Sequence, residues 1–487
     1  MIRQFLKDST IYGISGIVTR GISLLLVPFY TRVFTPGDYG VIDLIAIMSS
    51  IVGFVFPLEI TQAVARFYPD VKSAQEGKQF ASTALIFTII AYAVFGLLGF
   101  TLGESFISII FNERLDPKII WIATLSIITN GLFYFFQNQL RWRLEPKKHA
   151  LSSITFSLLA IGLTIVFVLL FNSGVLGVFY AQAVGGLVGG ALSFALGRSS
   201  FSLTFNTSRL WEMLSFSLPL VPSSVGIFVL TYSDRIFITR FMSLDDLGIF
   251  GIGQRVASIV GVLMLGFQAA ITPIVYSNYK DPRTPVQFAR VFRYFIAGAM
   301  VLAASLSVFS REILIVLTTE AYYSAVLVIP FLVVSTFLSG MYVFAPGLGI
   351  AKKTKLIASI NFVGAFVNVI LNIALIPTFG IVGAAVSTLI SSIGIFVVNM
   401  FASQREYKIP HDTKKLMLSV IIASVLGTIG YFVNAYSVVL TIGAKFLVLG
   451  LLVVALVVLR LVDMDEIRMY LLKHREHSRL ESNSPKA

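Results

Sequence analysis

Apolar runs of about 20 residues recur along almost the whole chain, and no other feature limits the fold as strongly. A helix rising 1.5 Å per residue needs about 20 apolar residues to cross roughly 30 Å of hydrocarbon. About fourteen such runs are present, with limits near 9–31, 40–61, 80–102, 118–138, 149–171, 174–197, 212–233, 247–276, 291–310, 322–346, 356–376, 380–402, 416–434 and 440–460. The fold class that follows is an all-α polytopic membrane protein. Composition agrees: 13% of residues are charged and 56% hydrophobic, whereas a soluble domain carries roughly 25% charged residues. The first run starts near Ser9 without a small-residue cleavage motif, so it reads as a retained helix and not a signal peptide. With no cysteine in the chain, disulfide frameworks and thiolate metal sites are excluded.

The basic residues are sorted by loop. Alternate connections hold Arg66, Lys72 and Lys78, then Arg141, Arg143, Lys147 and Lys148, then Arg198 and Arg209, and the series continues through Lys280, Arg283, Lys352, Lys353 and Lys415. Arg3 and Lys7 at one terminus, and the run after Arg460 at the other, fall on the same side. The opposite side has only Arg32, Arg114, Lys118, Arg235, Arg240 and Arg311. Lys and Arg accumulate on the cytoplasmic side of membrane proteins, so both termini are expected in the cytoplasm. The net charge of +13 is therefore topological, and no nucleic-acid partner is expected.

The two halves of the chain repeat. Thr31-Arg32-Val33-Phe34-Thr35-Pro36-Gly37-Asp38-Tyr39-Gly40 aligns with Thr239-Arg240-Phe241-Met242-Ser243-Leu244-Asp245-Asp246-Leu247-Gly248. Without a gap, Ser50-Ile51-Val52-Gly53 then meets Ser258-Ile259-Val260-Gly261. Lys147-Lys148 echoes Lys352-Lys353, and Gly174-Val175-Leu176-Gly177 echoes Gly380-Ile381-Val382-Gly383. The copies start six spans apart and so share one orientation. Such a parallel repeat places a substrate site between two lobes. The expected units are a first lobe over 1–205, a second over 206–404, two extra helices over 405–462 and a charged cytoplasmic tail over 463–487.

Ionisable residues at bilayer depth cost at least about 2.5–3.5 kcal/mol and normally face a cavity or a partner. Arg20 lies mid-way along the first run, and Arg255 about two turns into the eighth. Their repeat counterparts are Phe228 and Ile47, so scaffold symmetry does not require them, and both are candidate cavity residues for an anionic group. Asp43 and the pair Asp234-Arg235 are candidates for coupling or gating, the pair being placed at the membrane interface. Asp38 and Asp246 precede helices, where a carboxylate caps free N–H groups, with gating as the other reading. Lys445 is expected to snorkel. No phosphate-binding G-x-x-x-x-G-K-[ST] loop occurs, and the four histidines lie in loops or the tail, which speaks against an intrinsic NTPase and against intramembrane metal chemistry.

Tyr30-Thr31-Arg32-Val33-Phe34-Thr35-Pro36-Gly37-Asp38-Tyr39-Gly40 with Ala65-Arg66-Phe67, and Ser233-Asp234-Arg235-Ile236-Phe237-Ile238-Thr239-Arg240 with Gly248-Ile249-Phe250, resemble polysaccharide flippases of the Wzx type. These belong to the multidrug/oligosaccharidyl-lipid/polysaccharide exporter superfamily. The resemblance implies two six-helix lobes in a V around a cavity, two terminal helices, and a transporter rather than an enzyme. It also implies transfer of undecaprenyl-diphosphate-linked repeat units to the outer leaflet of the inner membrane, for O-antigen, capsule or exopolysaccharide synthesis. Arg20 and Arg255 would then hold the diphosphate or acidic sugars. No cofactor is implied, and coupling is to a proton or sodium gradient or the membrane potential. Implied partners are the lipid-linked oligosaccharide, membrane lipid, a polymerase and a chain-length regulator. The competing readings are a drug/cation antiporter of the same superfamily, which predicts an acidic cavity, and a membrane glycosyltransferase or polymerase, which predicts a large outer loop.

Overall fold

The computed structural model describes residues 24–462 apart from 72, 112, 203 and 434–436, together with residues 16, 18, 19 and 21. Among the described residues all regular structure is helical, and eleven helices are long and apolar enough to cross a membrane. One of them, Thr354–Glu406, has 53 residues and would span about 80 Å if straight, well over twice a bilayer core. It breaks at Gly380, where φ is 59° and ψ −141°, and folds back on itself. A Cβ on Gly383 would lie 2.3 Å from the Leu375 carbonyl oxygen, and one on Gly364 2.3 Å from the Ile395 side chain, so residues equally far from the turn face each other. This element is a hairpin of two passages. A bent pair, Glu320–Leu327 with Ile329–Phe344, brings the described passages to thirteen, against about fourteen expected from run length, and the seven-residue helix Val27–Val33 precedes them.

In chain order these are α1 (Val27–Val33), α2 (Pro36–Val55), α3 (Ala74–Phe111), α4 (Pro117–Trp142), α5 (Pro146–Ile165), α6 (Gly174–Gly197) and α7 (Val221–Phe241). The second series is α8 (Leu244–Asn278), α9 (Thr284–Val308), α10 (Ile329–Gly340), α11 (354–379), α12 (381–406), α13 (Thr413–Phe432) and α14 (Val438–Val458). Large apolar side chains such as Leu97, Phe362 and Leu447 are exposed on the outside, as befits helices dissolved in hydrocarbon. The helix ends near Arg66, Arg141 and Arg198 form one face, the basic face. Those at Pro36, Pro117 and Leu244 form the other.

The repeat is visible in backbone conformation. Gly174 and Gly380, at equivalent positions, both adopt positive φ, 53° and 59°, a region open to glycine without a Cβ clash. Each opens the second arm of a tight helical hairpin. The entries to α2 and α8 also match. The Thr35 and Asp38 side chains bond at 2.8 Å and Asp38 N–H donates to Thr35 Oγ1 at 3.2 Å, while Ser243 and Asp246 do the same at 2.6 and 3.2 Å. Asp38 thus completes a capping box, its carboxylate also accepting the Thr35 N–H at 3.1 Å. The second helix is capped by Ser243, and among the described residues the Asp246 carboxylate binds only its hydroxyl.

One expected span is interrupted. The run 40–61 is not one helix, because Pro57 lacks an N–H and Leu58 and Glu59 follow at φ 50° and 54°. Helix resumes at Ile60–Phe67, leaving Glu59 at a bend inside the protein. On the other side of the same lobe, α4 is pinned against α6 by small residues. A Cβ on Gly186 would meet the Asn130 side chain at 2.6 Å and its backbone nitrogen at 2.9 Å, an approach only glycine permits. That packing sets which face of α4 looks inward.

Candidate functional site

Between the lobes lies a cavity of about 940 Å³. It reaches the basic face beside Glu59, Gln62, Arg141 and Trp142 and runs inward between α2, α3, α4 and α7. Its wall on α4 carries a polar stripe, Asn130, Tyr134, Asn138 and Arg141, whose spacing of three and four residues puts them on one helix face. Room for this wall depends on Gly131, since a Cβ there would lie 2.1 Å from the Tyr92 hydroxyl. The facing wall is α7, where Ser224 hydrogen-bonds the Glu59 carboxylate across the lobes.

Toward the opposite face the cavity is shut by a seam in which α2 meets α8. A Cβ on Gly40 would lie 2.0 Å from the Leu244 carbonyl oxygen, and one on Gly248 1.9 Å from that of Pro36. The two repeat-equivalent glycines therefore let the backbones cross in direct contact. Outside this crossing, the end of α1 is stitched to the second lobe. Thr31 Oγ1 donates to Leu317 O at 3.0 Å, Arg32 to Val316 O at 3.2 Å, Thr319 Oγ1 to Thr31 O at 3.2 Å and the Tyr322 hydroxyl to Phe34 O at 2.8 Å. Motif residues of the sequence thus form the closure.

The intramembrane charges sit in the same seam. Arg235 Nε lies 3.2 Å from Asp43 Oδ2, with 11% and 13% of the two side chains exposed, and its guanidinium covers the Tyr232 ring at 5.1 Å. Gly251, the repeat counterpart of Asp43, faces it; a Cβ there would come within 3.3 Å of the carboxylate. Arg255 is in the same layer, its charge close to Tyr39, Asp43 and Tyr30, and it is not among the cavity-lining residues. Asp234 is buried; its Oδ1 accepts the Arg235 N–H at 2.8 Å and its Oδ2 the Thr388 hydroxyl at 3.5 Å. Next to it, Ser233 donates to Asn368 Oδ1 at 2.6 Å, and the Asn372 amide donates to both. Arg20 lies outside the described residues, as does the segment 463–487.

Two placements differ from the sequence reading. Asp234 and Arg235 are not interfacial: α7 continues to Phe241, about 9 Å beyond Arg235, because partners from the other helices satisfy the charges. Lys445 does not snorkel. It is 3% exposed and holds the Glu312 carboxylate at 2.6 and 2.8 Å. One cavity residue was counted only as a loop charge, Arg141. The polar stripe on α4, regular at helical spacing within an apolar run, was the signal for it.

A family profile described as "Polysaccharide biosynthesis protein" matches residues 5–279, more than half of the chain. The chain belongs to the polysaccharide biosynthesis protein family. A second profile, MatE, matches residues 219–374 of this family member. The "probable low-salt glycan biosynthesis flippase" of Haloferax volcanii is 24% identical over 396 residues, 79% of this chain and 80% of the relative. In fold, the chain is similar to the lipid II flippase MurJ in an inward closed conformation, with TM-score 0.70 and 15% identity over 91% of this chain and 98% of that one. An inward-facing multidrug transporter of the same superfamily gives TM-score 0.63 and 14% identity over 82% of this chain and 96% of the other. The polysaccharide biosynthesis family member described here is thus a two-lobed, multi-pass membrane transporter of the multidrug/oligosaccharidyl-lipid/polysaccharide exporter superfamily.

Proposed function

We propose that this protein flips undecaprenyl-diphosphate-linked oligosaccharides from the cytoplasmic to the outer leaflet by alternating access, for synthesis of a surface polysaccharide. The observation that carries the reading is the cavity: it opens on the basic face, is sealed at the other, and its wall mixes amides, hydroxyls and aromatic rings. Amides and hydroxyls match sugar hydroxyls in kind, and aromatic rings offer apolar faces for stacking. The Lys/Arg bias of the loops supports a cytoplasmic basic face, both termini on that side and residence in the inner membrane. The names of its relatives, a glycan biosynthesis flippase and a lipid II flippase, point the same way. A polymerase and a chain-length regulator would then take the flipped unit.

Coupling to a proton or sodium gradient, or to membrane potential, would act in the seam. Asp234 is a buried carboxylate among hydroxyl and amide oxygens, the donors that hard cations prefer, and it adjoins the Arg235 that ties the lobes together. Asp43 would serve as the cross-lobe gate partner. Arg255, beside Tyr39 while the seam is shut, and Arg20 would meet the cargo head group once it opens. The test is complementation of a deletion strain with measurement of lipid-linked oligosaccharide exposed on the outer leaflet. Wild-type protein should restore exposure; accumulation of the lipid-linked unit on the inner leaflet despite full expression would sink the reading.

A further inference from the structure

The flippase reading leaves open how the cargo sits in the cavity, and the α4 stripe bears on this. We infer that the cargo's phosphate is held at the mouth by Arg141, while uncharged sugars extend inward along Asn138, Tyr134 and Asn130. The inference rests on the flippase reading and adds the orientation and the chemical class of the sugar part.

Charge placement is the first argument. Among the described lining residues the only formal charges are Arg141 and Glu59, and both lie at the basic end. The neighbouring bases are engaged, Arg143 and Lys148 with Glu145 at 3.1 and 3.0 Å. Arg141 forms no ion pair among the described residues; its guanidinium rests 5.4 Å over the Trp142 ring and is exposed at the mouth. A planar guanidinium offers several donors to phosphate oxygens. A phosphate carried to the deep end would meet no described cation on the wall, because Arg235 and Arg255 are sealed in the seam, and an unpaired charge there is costly.

The second argument is the order of side chains with depth. Asn130 precedes Arg141 by 11 positions, so it lies about 16 Å deeper along the helix. Between them, Tyr134 presents an exposed ring, and the Asn138 amide gives one of its two N–H donors to Tyr134 O at 3.0 Å, which leaves its carbonyl as an acceptor for a hydroxyl. Ring, amide and then charge, read outward, match sugar, sugar and phosphate. The tail attached to the phosphate then leaves at the mouth, level with the leaflet it comes from. At about 940 Å³ the space is near the top of the range for drug-sized ligands, enough for a short uncharged oligosaccharide.

Two probes separate the roles: undecaprenyl diphosphate, and undecaprenyl diphosphate carrying one N-acetylglucosamine. Each is titrated by native mass spectrometry against purified full-length protein and against R141Q, R141K, Y134A and N138A, every variant first checked for an unchanged thermal midpoint. Loss of a charge-assisted contact predicts at least about tenfold weaker binding of both probes to R141Q, with R141K recovering part. Y134A and N138A should weaken only the sugar-bearing probe, by several-fold. Unchanged binding of the bare lipid to R141Q overturns the phosphate assignment. Equal weakening of both probes by Y134A or N138A overturns the orientation. Wild-type protein that binds neither probe overturns the flippase reading itself, a result distinct from the other two.

Discussion

Gly248→Ala puts the most direct load on the seam. The added Cβ would lie 1.9 Å from the Pro36 carbonyl oxygen and 2.8 Å from its carbon, where contacts under 3.0 Å do not persist. The obstacle is backbone, so no side-chain rotation relieves it, and the two helices must part by about 1 Å. Overpacking of this kind costs roughly 1–3 kcal/mol. The alternating-access reading parts the two glycines on opening, so in it only the closed arrangement bears that cost. At 1.4 kcal/mol per factor of ten, the closed population should fall about 5- to 150-fold relative to the open one. The chain has no cysteine, so Thr31→Cys with Thr319→Cys provides a clean reporter of closure: Thr319 Oγ1 and Thr31 O are 3.2 Å apart in the closed seam. The closed-to-open ratio, read from the distance distribution of a spin-label pair on these two cysteines, should fall at least about fivefold when Gly248→Ala is added. An unchanged ratio in a monodisperse protein refutes the argument that direct backbone contact sets the closed state.

Asp43→Asn strands the buried Arg235 charge, a loss of the kind that costs about 3–5 kcal/mol; the thermal midpoint should drop sharply, and adding Arg235→Gln should restore much of it. Glu312→Gln, which leaves Lys445 with 3% exposure and no counter-charge, should destabilise more than Lys445→Met, while the double change Glu312→Leu with Lys445→Met should lie close to wild type in a melting assay. Burial against Phe292, 4.5 Å between ring centroids, holds the His411 imidazole down to about 4. The unfolded chain therefore takes up that proton first, and stability should be full above about pH 6.5 and decline toward pH 4; His411→Asn should flatten that part of a melting-point-against-pH curve, and an unaltered slope would exclude His411 as its source.

Much of the architecture was legible because membrane passage imposes a length, and a repeat imposes a pairing. The cap at Asp38, the pairing of Gly174 with Gly380 and the long apolar passages all follow from local pattern. What escaped was contact between lobes. Asp234-Arg235 looked like the end of a span because an apolar run stops at charge, whereas the helix runs on when the first lobe supplies Asp43. Lys445 was misread for the same reason, its partner Glu312 being far away in sequence. The bend at Glu59 shows the converse, with Pro57 visible but too weak a signal alone to divide a run. Arg141 was hidden in the topological count, where every basic loop residue carries the same meaning.

The facing of Asp43 and Gly251 also bears on the origin of the chain. Two identical half-molecules related by a two-fold axis would set like against like, either two carboxylates confronting each other or two glycines around an empty notch. In the fused chain one copy supplies the acid and the other the space, and the matching arginine comes from a helix of the second copy alone. Neither half can now replace the other. The duplication has become irreversible at that point, so a transporter assembled from two copies of one lobe should fail to close.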